Sequence, residues 1–213
     1  MKYDCIFYDF NGTLLDDTDI CVEILNKMLD KRGYKHITKE KYRDIFSFPI
    51  KEYYEKAGFD FSKEEYEIIA KDFAPLYNAN YKRCHIFDGV VELLEKVKKC
   101  GIKQVIISAT ELNLLNEQLK FFRIDGYFDD KTALDNYYAY GKIDIAEQYV
   151  KNNKIDTSRT VMIGDTIHDA EVADAIGCDC GLLTCGHQSP NRLKAMNKPT
   201  FNSIKEIDNY ILR

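Results

Sequence analysis

The sequence predicts an α/β fold: a parallel sheet flanked by helices, interrupted by an inserted all-helical segment. Three observations lead there. Short apolar runs each close on a polar residue, amphipathic stretches alternate with them, and one long region breaks the alternation. With 213 residues, 45% of them hydrophobic, the chain can bury a good core as one domain or as a domain with an inserted lobe.

The strands are read first. Runs at Cys5–Tyr8, 105–107, 161–163 and 181–183 end at Asp9, Ser108, Gly164-Asp165 and Thr184, as short buried strands do. Between them Val90, Leu93, Leu94 and Val97 recur at helical spacing before Gly101, and Ala170, Val172, Ala173 and Ile176 do so before Gly177. Such alternation implies parallel pairing. In open sheets of this kind ligands gather at the carboxyl ends of strands, where Asp9, Ser108 and Asp165 fall.

Residues 16–82 depart from that rhythm. Ile20, Cys21, Ile24, Leu25, Met28 and Leu29 follow helical spacing, and Ser62-Lys63-Glu64-Glu65 has the form of a capping box that opens another helix. The chain thus divides into a discontinuous α/β core, residues 1–15 and 83–213, and a helical cap, residues 16–82, hinged at 14–17 and 81–85. Only four prolines occur, and there is no repeat or Pro-rich linker.

Composition removes several functions. The net charge of -5 comes from 35 acidic and 30 basic residues mixed along the chain, with no basic stripe, so nucleic acid is not an expected partner. No window reaches about 18 uninterrupted apolar residues, and the N-terminal run is broken by Asp4 and Asp9, so neither a membrane span nor a signal peptide is expected. Seven scattered cysteines, an odd number, fit reduced thiols and a cytoplasmic location. Cys178-Asp179-Cys180 lacks the spacing of a zinc or redox motif.

The run Phe7-Tyr8-Asp9-Phe10-Asn11-Gly12-Thr13-Leu14 resembles the first motif of the haloacid-dehalogenase superfamily. Ile106-Ile107-Ser108 looks like its second motif, Gly141-Lys142 its third, and Gly164-Asp165-Thr166-Ile167-His168-Asp169 its acidic fourth. The helical insertion is similar to the cap of phosphoglycolate-phosphatase-like members. The resemblance implies a Rossmann-like core and a phosphatase whose nucleophile is Asp9. It further implies magnesium held by Asp9, the Asn11 backbone carbonyl and Asp165, with Asp169 orienting a metal-bound water. Lys142 would hold the phosphoryl oxygens and Asp9 together. Ser108, with Ala109, Gly12 and Thr13, would complete the phosphate cradle.

Physical chemistry asks for these parts. A carboxylate attacks an anionic phosphorus centre only where a cation and hydrogen-bond donors relieve the repulsion. Magnesium prefers hard oxygen ligands. Each residue also has a plainer reading: Asp9 and Ser108 as turn or helix-capping residues, Gly12-Thr13 as an ordinary turn, and Lys142 as a solvated side chain. Their joint order favours the chemical reading. Asp165 and Asp169, read as like charges one helical turn apart, call for a nearby cation. His168 reads as packed or solvated, since magnesium does not require imidazole.

Position 11 departs from the family pattern. Phosphatases of the superfamily carry an aspartate there that protonates the leaving group and deprotonates water. An asparagine amide cannot shuttle a proton. General acid–base catalysis typically supplies about 10²- to 10⁴-fold, so alkyl phosphates should suffer more than substrates with acidic leaving groups. Three explanations stand: an enzyme for activated phosphates, a protein that binds a phosphorylated ligand without turnover, or an engineered substitution. Lys27 and Lys51 are weak candidates for the Schiff-base lysine that some relatives use.

A cap would exclude water and select the leaving group, with residues 46–54 as its substrate-facing loop or, more plainly, a helix-to-helix turn set by Pro49. The 33 residues between Ser108 and Lys142 leave no room for a second large cap. The expected function is a magnesium-dependent phosphatase of a small phosphorylated metabolite, monomeric or homodimeric. The alternative is a catalytically weak phosphometabolite-binding or regulatory protein.

Overall fold

Alternation of side chains along each strand builds the sheet. In β1 (Cys5–Tyr8) the side chains of Cys5 and Phe7 enter one apolar cluster, while Ile6 and Tyr8 enter another on the opposite face. A strand buried on both faces belongs at the centre of a parallel sheet. The computed structural model describes residues 2–134 and 141–212; Met1 and Arg213, counted in the expected core, lie outside them.

After β1 the chain forms β2 (Leu15–Asp16), then five helices, α1 (Thr18–Asp30), α2 (Lys39–Ile45), α3 (Ile50–Ala57), α4 (Tyr66–Ala70) and α5 (Phe73–Asn80), then β3 (His85–Ile86). It continues through α6 (Val90–Lys99), β4 (Lys103–Glu111), α7 (Leu112–Phe121), β5 (Asp130–Leu134), α8 (Lys142–Asn153), β6 (Thr160–Gly164) and α9 (Ile167–Ile176). β7 (Asp179–Leu183), α10 (Pro190–Lys194), β8 (Thr200–Phe201) and α11 (Ile204–Ile211) complete it. Six strands make one parallel sheet in the order β5-β4-β1-β6-β7-β8. The chain winds outward from β1 through β4 to β5, then returns to β6 on the other side. The topological switch point therefore lies at the carboxyl end of β1, where a ligand crevice forms.

Ala146, Tyr149, Ala170, Val172, Ala173 and Leu193 bring α8, α9 and α10 onto the Cys5 and Phe7 face. Val90, Leu94, Leu115, Ile204 and Ile207 bring α6, α7 and α11 onto the other. The buried residues of α1, such as Ile24, Leu25 and Met28, and Tyr42, Tyr53 and Tyr77 of later helices, join that second cluster. The helical insertion and the sheet thus share one continuous apolar core.

The two expected hinge segments meet. β2 pairs antiparallel with β3, setting Leu15 opposite Ile86 and Asp16 opposite His85. One expectation fails locally: no capping box forms at Ser62. Asp60 takes the Ser62 amide at 3.0 Å and its hydroxyl at 2.6 Å, Glu64 pairs with Arg32, and the helix starts only at Tyr66. No helix among the described residues is long and apolar enough to cross a membrane.

Candidate active site

Asp9 follows β1 directly, its amide donating to the Ile163 carbonyl at 2.8 Å, so the loop that begins at Asp9 is bound to β6 at the switch point. Lys142 is the first residue of α8, and its buried ammonium reaches Asp9 Oδ1 and Asp169 Oδ1, each at 2.5 Å. Thr13 closes the ring from the loop, its hydroxyl 2.9 Å from Asp165 Oδ1 and 3.4 Å from Asp9 Oδ2. Asp9, Asp165 and Asp169 offer carboxylate oxygens within 4.8 Å of one another.

Gly12 is required where it stands. Its φ of +76° is left-handed, and a Cβ there would sit 2.4 Å from Asp165 Oδ2 and from His187 Cδ2. Gly164 admits the Asp169 carboxyl in the same way, since a Cβ would lie 2.2 Å from its Cγ.

Asp169 is tied to the loop that opens α9. Its Oδ2 accepts the Thr166 hydroxyl at 2.7 Å and the amides of Thr166 and Asp165 at 2.9 and 3.1 Å. With the Thr166 side chain accepting the Asp169 amide, this is the chain's capping box, at the start of α9. The like-charge reading of Asp165 and Asp169 is corrected accordingly. Asp165 precedes the helix, and Asp169 sits in its first turn, where the dipole favours an anion.

Electrostatics divide the group. Burial pushes the Asp9 carboxyl up to about 6 against the opposing pull of Lys142, and burial pushes Asp165 up to about 7 against the pull of His187. Burial disfavours the Lys142 charge, but Asp169 and Asp9 overcome it and hold that amine above its ordinary value. Burial opposes the Asp169 anion too, yet Lys142 and Thr166 hold its carboxyl below the ordinary range. Asp9 and Asp165 therefore remain buried carboxyls short of positive charge. Their oxygens, with no sulfur or imidazole among them, suit a hard divalent cation.

Ser108 lies within β4 rather than at its end. The ladder to β5 shifts register between Ile107 and Glu111, an irregularity of the kind that re-aims side chains beside a site. Ser108 Oγ accepts the Thr110 amide at 3.1 Å, and Thr110 in turn donates its hydroxyl to Asn11 Oδ1 at 2.7 Å. Ala109, half-buried, lies between them.

Asn11 is held on every side. Its amide nitrogen donates to Asp17 Oδ2 at 2.8 Å and to the Tyr77 hydroxyl at 2.6 Å, while Thr110 occupies its oxygen. Asp17, 1% exposed, also accepts from Tyr77 at 2.7 Å and from the Gly12 amide at 3.0 Å, and pairs with His187 Nε2 at 3.1 Å. Burial opposes the charge on both partners. Even so, His187 keeps Asp17 below its usual range, and Asp17 with Asp165 pushes His187 up to about 9. The His187 amide donates to Asp165 Oδ2 at 2.6 Å, linking this network to the acidic ring.

Asp17, Tyr77, Thr110 and His187 are not among the site residues expected from sequence. His187 follows the carboxyl end of β7 and Thr110 lies two residues beyond Ser108, so the strand-end rule reaches both. Asp17 and Tyr77 carry no local signal.

The insertion lies against the same loop. Arg43 donates to the carbonyls of Thr184 and Gln188, and Gln188 and Arg192 donate to the Phe46 carbonyl at 2.9 and 2.5 Å. Phe46 stacks on His187 with ring centroids 5.0 Å apart, and Phe48 lies 5.0 Å from His168. His168 Nδ1 also contacts Glu171 at 3.0 Å, so it is packed and paired. Lys27 pairs with Glu23 on the surface, and exposed Lys51 lies over Phe61, so neither reaches the site. Asp179 pairs with Lys2 and accepts from Tyr3, and all seven cysteines are free.

Known proteins resemble this chain in sequence and fold. A phosphoglycolate phosphatase of Vibrio parahaemolyticus is 22% identical over 213 residues, covering 95% of this chain and 93% of its own. The pyrophosphatase PpaX of Bacillus velezensis is 24% identical, covering 85% and 81%. The solved structure of a haloacid dehalogenase-like hydrolase family protein from Streptococcus pneumoniae superposes with a TM-score of 0.86 at 18% identity, covering 98% of each chain, and so shares the fold. Residues 6–183 match the family described as haloacid dehalogenase-like hydrolase, and this chain belongs to it.

Proposed function

We propose that the chain is a magnesium-dependent phosphatase that hydrolyses a small phosphorylated metabolite through a phosphoryl-aspartate at Asp9, beneath a cap formed by residues 16–82. The observation that carries this reading is the buried contact of Lys142 with both Asp9 and Asp169, closed by Thr13 and Asp165.

Asp9, Asp165 and the Asn11 backbone carbonyl would hold the magnesium, with Asp169 behind them, tied to Lys142. The ion, when bound, would neutralise charge on the phosphoryl oxygens. Lys142 keeps Asp9 Oδ1 oriented, which leaves Oδ2 to attack phosphorus as the bond to the leaving group breaks. Ser108 would donate to a phosphoryl oxygen, since no acceptor among the described residues takes its proton. Water then cleaves the phosphoryl-Asp9 bond and releases phosphate.

The leaving group decides the substrate class. Asn11 cannot transfer a proton, and both its donors are committed to Asp17 and Tyr77. Leaving groups that depart as stable anions suit such a site, so anhydrides and acyl phosphates are favoured over alkyl monoesters. The name of the Bacillus velezensis relative, a pyrophosphatase, is in keeping with this. The clamped Asn11 also motivates the second reading, a phospholigand-binding protein with little turnover.

Phosphate release from pyrophosphate, an acyl phosphate and alkyl phosphomonoesters, with magnesium present, separates the two. The enzyme reading expects release from the activated substrates that disappears in Asp9→Asn. Binding of phosphorylated ligands with no release from any class would instead establish the second.

A further inference from the structure

We infer that Asp17, Cys21 and His187 form a binding site for a soft divalent transition metal of the zinc class, separate from the oxygen-only ring around Asp9. Asp17 caps α1, and Cys21 follows one turn later on the same helix face, its Sγ 3.8 Å from Asp17 Oδ2. His187 arrives from the loop after β7, its Nε2 3.1 Å from Asp17 Oδ1. One ligand atom from each lies within 4.8 Å of the others, and all three residues are buried.

Donor chemistry and spacing agree. Tetrahedral zinc takes sulfur at about 2.3 Å and nitrogen or oxygen at about 2.0–2.2 Å, which sets neighbouring ligand atoms roughly 3.3–3.6 Å apart. The thiol lies 3.8 Å from Asp17 Oδ2 and the imidazole 3.1 Å from Asp17 Oδ1, so the two oxygens of the carboxylate face the two other donors at separations on either side of that range. Thiol and imidazole together select a borderline-soft ion over magnesium.

An independent observation is the outer support. Metal-bound histidines are usually fixed through their second nitrogen, and here the Tyr42 hydroxyl lies 2.9 Å from His187 Nδ1, leaving Nε2 towards Asp17 and Cys21. The Gly12 amide likewise holds Asp17 Oδ1 at 3.0 Å. Capture of the ion displaces the thiol proton of Cys21 and the Nε2 proton of His187 to solvent, two protons in all, and forms metal–sulfur and metal–nitrogen bonds. An ion held there would staple the first helix of the insertion to the loop that covers Asp165.

The test is cobalt(II) titration of the intact, reduced protein with magnesium in excess, read by near-ultraviolet thiolate-to-cobalt absorption. The expected result is a saturable charge-transfer band that vanishes in Cys21→Ser and persists in Cys100→Ser and Asp9→Asn. Tyr42→Phe should weaken cobalt affinity by about 10- to 100-fold while keeping the band. Absence of a band in the native protein, or a band unchanged in folded Cys21→Ser, overturns the site. Because the readout is optical, this outcome is independent of phosphatase activity.

Discussion

On one side of the loop after β1, Lys142, Asp9, Asp165, Asp169 and Thr13 form a ring with two buried carboxyls short of positive charge. On the other side, Asn11, Asp17, Tyr77, Thr110 and His187 form a network in which donors and acceptors are matched. The first side is the one proposed to take up a cation and a phosphoryl group. The second is satisfied by its own protons, of which the His187 Nε2 proton is one that an ion at Asp17, Cys21 and His187 would displace. A carboxylate at position 11 would face Asp17 at hydrogen-bond distance, so the asparagine and Asp17 make a compatible pair. Asn11 is therefore built into the fold.

Changes on the ring should have the largest consequences. Asp9→Asn removes the proposed nucleophile and should lower phosphate release by about 10⁴-fold or more, read by steady-state release from an acyl phosphate. Lys142→Met leaves the buried Asp169 carboxylate without its partner. It should cost about 3–5 kcal/mol of stability, a Tm loss of roughly 2–4 °C per kcal/mol in thermal melts.

The network should respond only when both members of its pair are changed. Asn11→Asp alone sets two carboxylates against each other and should gain little on alkyl phosphomonoesters. Asn11→Asp with Asp17→Asn restores one donor and one acid, and should gain about 10²-fold on the same substrates. Equal gains in the single and double variants would break the proposed pairing.

The smallest effect is on stability against pH. Asp9 and Asp165 have folded values raised to about 6 and about 7 from an ordinary 3.8. The folded state thus holds protons that the unfolded chain has released. Their contribution is full below about pH 4 and is lost as the pH rises through about 6 to 7. His187, raised to about 9 from 6.5, adds a loss of the same sign at higher pH. Without magnesium, Tm should fall from about pH 5 to about pH 8. Asp165→Asn should flatten the lower part of that fall, and magnesium should raise Tm more at about pH 8 than at about pH 5.

Much of the ring is legible in the sequence because its residues fall in motifs that resemble a known family, although its contacts are long-range, Lys142 being 133 residues from Asp9 and Thr13 being 152 from Asp165. Asp9 and Asp165 each follow a short apolar run that reads as a strand, and Gly12-Thr13 and Gly141-Lys142 stand where the motifs place them. The network is equally long-range, His187 being 170 residues from Asp17 and Tyr77 being 60, but Asp17, Tyr77 and His187 fall in no motif that the sequence offers. The central strands were readable from their apolar runs. β5, with the sequence Asp-Lys-Thr-Ala-Leu, and the two-residue β8 lack such a run because an edge or near-edge strand tolerates polar residues. At Ser62 the local pattern misleads, since Asp60 captures its hydroxyl and Arg32 takes Glu64. A capping box does form at Thr166 and Asp169, where the sequence reading sees Asp169 only with Asp165, as like charges that call for a cation.

The central claim is a complete phosphoryl-accepting ring beside a leaving-group side with no proton shuttle. Its most direct test is acid-quench mapping of transferred phosphoryl after rapid mixing with magnesium and either an acyl phosphate or an alkyl phosphomonoester. The account predicts that a phosphoryl group accumulates on the Asp9 peptide within the first turnover from the acyl phosphate, and forms at least about 100-fold more slowly from the alkyl ester. Equal rates from both substrates, or phosphate release without any label on Asp9, would contradict it.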